Sequence, residues 1–134
     1  MGVLAVLLLV FALLAAAMRR TAQQFGQELV MRGEPPILGP EPAHFAPGEG
    51  FGVVRTDGAL ALTERQLVFR KVLGGEVELP LADIARLGET NAYRGHWRAG
   101  WQYIVVSLQD GREAAFVTRN NARWLAELKA RTEE

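Results

Sequence analysis

The chain has 134 residues, 15 of them basic and 15 acidic, so it carries no formal net charge, and 49% of it is hydrophobic. That balance supplies no long-range field for a polyanion and excludes the ordinary nucleic-acid binder, whose affinity rests largely on phosphate neutralisation. The absence of cysteine excludes disulfide staples, thiolate metal sites and a cysteine nucleophile.

From Gly2 to Met18 every residue is apolar or small. A helix of that length spans roughly 25 Å, slightly short of the ~30 Å hydrocarbon core. Arg19 and Arg20 can close the gap by snorkelling to the headgroups. Residues 1–20 are therefore expected to form a single transmembrane helix. Only the α-amino group precedes the apolar run, whereas Arg19, Arg20 and Arg32 follow it. Retention of positive charge inside predicts a cell-membrane protein with its N-terminus out and its C-terminal domain cytoplasmic. The alternative is an exported domain released by signal cleavage near Ala15–Ala17, but the positive n-region of such signals is missing.

Residues 21–50 read as a juxtamembrane segment and linker. Thr21 to Arg32 can continue the helix, with Phe25, Leu29 and Val30 on a narrow stripe. A solvated extension or a dimer contact is expected there rather than an interfacial helix, because Gln23, Gln24 and Gln27 bring no lipid-attracting charge. Glu34 to Gly50 contains five of the six prolines and predicts a semi-rigid, polyproline-like spacer. The folded domain is placed at residues 51–134.

Within it Asp57-Gly58, Gly74-Gly75 and Asp110-Gly111 sit between runs of β-formers, the pattern of tight hairpins. Strands are predicted at Phe51–Thr56, Ala59–Thr63, Leu67–Val72, Glu76–Leu79, Asp83–Glu89, Trp101–Leu108 and Arg112–Thr118. Asn120 and Asn121 then offer N-caps for a helix over Ala122–Arg131, with Trp124, Leu125 and Leu128 on one face. The expected fold is mainly β: a bent, seven-stranded antiparallel sheet or open barrel, its end plugged by the C-terminal helix, preceded by the transmembrane helix.

The run from Ala59 to Leu87 resembles bacterial pleckstrin-homology-like and GRAM-like domains. The resemblance rests on Leu62, Thr63, Leu67, Phe69, Gly74, Leu79, Pro80, Leu81 and Ile84, and the strand-and-helix order extends it over Phe51 to Arg131. It implies a fold more than an activity. It also implies that any inositol-lipid site would use the first, third and sixth inter-strand loops, here Thr56–Gly58, Val72–Gly75 and Gln109–Gly111. Arg70 and Lys71 are the basic candidates for an anionic-lipid contact, but those loops are minimal, and Glu76, Glu78 and Glu113 can pair with nearby arginines across strands.

Thr90 to Gly100 is the one long, aromatic loop. Tyr93, Arg94, His96, Trp97 and Arg98 make it the candidate contact surface for a protein partner. The competing expectation is that Tyr93 and Trp97 fold back to close the barrel. No catalytic machinery is expected. Ser107 lacks a nucleophile elbow, His44 and His96 are not spaced as metal ligands, and Gly48, Gly50 and Gly52 precede a strand rather than a helix. No cofactor is implied. The chain reads as a membrane-anchored, non-catalytic binding or assembly module.

Overall fold

The computed structural model describes residues 2–132 apart from Val53, Leu73, Arg98 and the side chain of His96. A 30-residue helix, α1 (Gly2–Met31), leads into strands β1 (Leu38–Pro47), β2 (Thr56–Leu62), β3 (Gln66–Lys71), β4 (Glu76–Pro80) and β5 (Ile84–Thr90). Two short strands, β6 (Ala92–Tyr93) and β7 (His96–Trp97), precede β8 (Tyr103–Leu108), β9 (Glu113–Thr118) and the terminal helix α2 (Asn121–Thr132).

The main sheet is antiparallel, seven-stranded and ordered β4-β3-β2-β1-β9-β8-β5. Its two edge strands, β4 and β5, are consecutive in the chain and joined by a single 3₁₀ turn of three residues, Leu81–Asp83. So short a link forces the two edges together at one end, and the sheet curls into a half-barrel. Phe45, Phe69 and Phe116 fill its concave side with ring centroids 5.3–5.8 Å apart. Trp124 of α2 is fully buried beside them. Its indole N–H donates to Glu41 Oε2 of β1 at 2.8 Å, satisfying the polar edge of an otherwise apolar plug. The plug and the strands β3, β4, β5, β8 and β9 lie within two residues of their expected places.

Three expectations are corrected. The proline-rich segment is not a spacer: Leu38–Pro47 is the middle strand of the sheet, paired with β2 on one side and β9 on the other. The prolines are tolerated because Pro40 falls where the β1–β2 register shifts and Pro47 ends the strand, leaving Pro42 as the one in mid-strand. Asp57-Gly58 is not a turn either. It lies inside β2, where a Cβ on residue 58 would run into the Arg70 carbonyl and the Phe69 ring. The expected first strand at Phe51–Thr56 is accordingly a loop up to Thr56, with Val53 outside the described residues.

The third correction concerns α1. Its C-terminal part is neither a solvated extension nor a free dimer surface. Phe25 and Leu29 are completely buried against Ala59, Ala61 and Val68 on the convex face of the sheet. Period-two alternation turns Leu60 and Leu62 inward and leaves small side chains outward on β2, so a helix can lie close against the strand. Val30, the third member of the expected stripe, stays 57% exposed. Charge reinforces the contact. Arg70 stacks on Phe25 at 4.5 Å from the ring centre and pairs with Glu28 and Glu76, while Arg32 reaches Glu76 at 2.8 Å. The helix is thus bolted to β3 and β4.

Phe25→Ala is expected to cost roughly 3–5 kcal/mol, read as a lowered unfolding midpoint in detergent. A fragment starting at Phe45 should fail to fold, whereas one starting at Thr21 should give a cooperative transition; equal stability of the two would contradict the docking. The Arg32 hydrogen bond, seconded by Arg70, holds the Glu76 carboxyl below the ordinary carboxylate range despite partial burial. A depressed folded-state pKa contributes stability above the unfolded value of about 4.3 and loses it as pH falls through the folded value. Glu76→Gln should therefore flatten the acid limb of the stability profile.

Candidate functional site

The aromatic loop folds as a ribbon, β6 paired with β7, rather than as an irregular lid. Its turn is Arg94-Gly95, with φ of 49° and 78°. Two successive left-handed residues are what a two-residue hairpin of the right twist demands, and Gly95 takes one of them without penalty.

The ribbon divides its aromatic residues. Tyr93 folds back and is buried in a small cluster with Ala46, Tyr103 and Ala115 on the convex face. Its hydroxyl donates to Glu113 Oε1 at 2.7 Å, and Ser107 donates to the other carboxylate oxygen at 3.0 Å. Burial, aided by the adjacent Glu113 charge, pushes the Tyr93 hydroxyl up to about 12, so it remains a donor throughout the physiological range. Trp97 does the opposite and stands 67% exposed. Arg94 is also exposed, 3.8 Å from the Glu49 carboxylate. Of the two aromatic residues expected to fold back, Tyr93 does so, onto the convex face rather than over the barrel end, and Trp97 does not. The His96 side chain and Arg98 lie outside the described residues.

The neighbouring floor is ordered as well. His44 of β1 tilts onto Trp101 at 5.0 Å, with its Nδ1 2.9 Å from Asp57 Oδ1. Arg55 donates to the Tyr103 hydroxyl at 3.2 Å. Arg112 pairs with Asp110 and lies over Phe51, so Glu113 is left to the ribbon instead of to a cross-strand arginine.

The two basic candidates sit elsewhere, on β3 beside α1. Arg70 is engaged by Phe25, Glu28 and Glu76. Lys71 is half-buried and makes no ion pair among the described residues. The structure therefore does not bring all the candidates into one site. Among the described residues no three His, Asp or Glu side chains are grouped to hold a metal ion. The residues that sequence reasoning missed are Glu113 and Ser107, whose signal is only their facing positions on β9 and β8.

No protein-family model matches the chain, and no curated protein does. The curled sheet, terminal helix and N-terminal apolar helix are compatible with a pleckstrin-homology-like fold.

Tyr93→Phe removes the donor to a partly buried carboxylate and should cost roughly 1–2 kcal/mol, with faster amide exchange across residues 92–97. A tyrosine whose pKa is raised on folding contributes stability that is complete below the unfolded value of about 10. That contribution is lost as pH rises through about 12. The wild-type alkaline limb should therefore be steeper than that of Tyr93→Phe.

Proposed function

We propose that the chain is a membrane-anchored, non-catalytic module of the pleckstrin-homology-like kind that presents its half-barrel to a protein partner in the cytoplasm. The apolar stretch of α1 supports the anchor: its most apolar window has a mean hydropathy of 2.5 and none of it is buried against the domain. A bilayer is the natural cover for such a surface. Arg19 and Arg20 at its inner end support the orientation.

The observation that carries the partner reading is Trp97. A large aromatic side chain stands in solvent on a ribbon whose base is fixed by the Tyr93–Glu113 bond. Exposed tryptophan beside arginine is the composition of interface hot spots, and a fixed base lowers the ordering cost of binding. The docked helix adds a constraint, since the ribbon is held at a set orientation to the anchor rather than swung on a linker.

Affinity capture of the full chain from solubilised membranes tests this. Trp97→Ala should weaken recovery of a bound protein by about thirtyfold, the equivalent of a 2 kcal/mol hot spot. Unchanged recovery would sink the ribbon as the contact. A cysteine placed at Thr132 in this cysteine-free chain should label only from the cytoplasmic side.

A further inference from the structure

Beside the docked stripe of α1 runs a groove of about 550 Å³ that neither the sheet contact nor the ribbon uses. Ala22, Gly26 and Val30, each four residues from the next, form its helical wall, and Pro36 and Pro40 form the other. Gly26 lets the walls meet closely, since a Cβ there would lie 3.3 Å from Pro40 Cδ. These walls are apolar, yet Val30 is exposed, and Met31 just beyond it is 87% exposed. Gln23 and Gln27 line the same groove, exposed and without a side-chain hydrogen bond among the described residues.

The walls select the occupant. The backbone of α1 is bonded within the helix, and Pro36 and Pro40 have no N–H to offer. An extended peptide would find no donors to pair with, so the occupant brings a backbone already satisfied, that of a helix. Ala22 to Val30 is about 12 Å of axis, two turns, and the small residues allow close approach. With α1 spanning a bilayer, the groove starts about 6 Å beyond Met18, where a neighbouring membrane helix would enter it on leaving the lipid. Arg19 does not line the groove. It stands three residues before Ala22 and four before Gln23, one turn nearer the membrane on the same stripe. Its Nε donates to the Ala15 carbonyl, and no carboxylate pairs with it among the described residues. That cation is complementary to an acidic side chain on the incoming helix. A second copy fits badly, because two-fold pairing of parallel helices would set groove against groove and Arg19 against Arg19. We infer that the groove receives the juxtamembrane helix of a different membrane-spanning protein, with an apolar side chain between Ala22 and Val30 and a carboxylate opposite Arg19. The inference rests on the spanning reading of α1, and not on the ribbon.

The test places the photocrosslinker benzoylphenylalanine at Gln23 of the full chain in native membranes, with the same probe at Lys129 on α2 as the control. Sequencing of the Gln23 adduct should put the crosslink within three helical turns after a spanning segment of another protein, with an Asp or Glu about one turn nearer the membrane. Arg19→Glu should lower the adduct yield about tenfold, and changing that carboxylate to Lys should restore it. Arg20→Glu, which removes the same charge from a different side of the helix, should leave the yield unchanged. An adduct with lipid alone, with a second copy of this chain, or with a segment that follows no spanning helix would overturn the inference. So would the absence of any adduct at Gln23, or an equal loss in Arg19→Glu and Arg20→Glu. Release of wild type from membranes by alkaline carbonate would remove the spanning reading and the site with it, an outcome distinct from failure of the groove alone.

Discussion

The packing of Phe25 and Leu29 onto Ala59, Ala61 and Val68 is the contact on which the remaining architecture depends. It makes β2 a strand buried on both faces, with large side chains toward the half-barrel and small ones under the helix. Without the helix, an apolar strip of the convex face would meet water. Without the small outward residues, the helix would stand off the sheet, and the Glu28–Arg70–Glu76–Arg32 chain of charges would not close. Hydrophobic burial sets the contact, and the ion pairs fix its register, because partly buried arginine pairs add geometry more reliably than energy.

The convex face is covered twice, by unlike devices. Over β2 and β3 it is the helix; over β1, β8 and β9 it is the β6–β7 ribbon, held through Tyr93. The concave face needs a third device, the Trp124 plug pinned to Glu41. A domain of this size has little core to lose, and each cover joins segments distant in sequence. Among the described residues, the apolar stretch of α1 and the Trp97 tip stand uncovered, as do Val30, Met31 and Val54. The α1 stretch and Trp97 carry the functional reading.

Much of this was legible from residues alone, for identifiable reasons. β3, β4, β8 and β9 are runs of β-formers bounded by Gly74-Gly75 and Asp110-Gly111, whose turns form where expected. α2 announces itself by caps and spacing. β1 was hidden because proline density outweighs the alternation of Ala43 and Phe45 against His44 and Ala46. Asp57-Gly58 misled because glycine serves a close approach of β3 there, not a turn. The stripe of Phe25 and Leu29 was visible, but its partners on β2 are alanines, which carry no signal of being a docking floor. At the ribbon, Gly95 is half of a turn signal, because Arg94 is a poor residue for the left-handed position it takes. That Tyr93 goes in and Trp97 stays out depends on Glu113, some twenty residues further along the chain, and local pattern does not show it.

Amide hydrogen exchange on the full chain in a bilayer mimetic addresses the docked helix most directly. Docking predicts that residues 22–32 exchange through the same opening as β2, with matched protection that falls together when denaturant is added. Fast, independent exchange of residues 22–32 over a protected β2 would contradict it, and the domain would then hang from its anchor on a flexible joint.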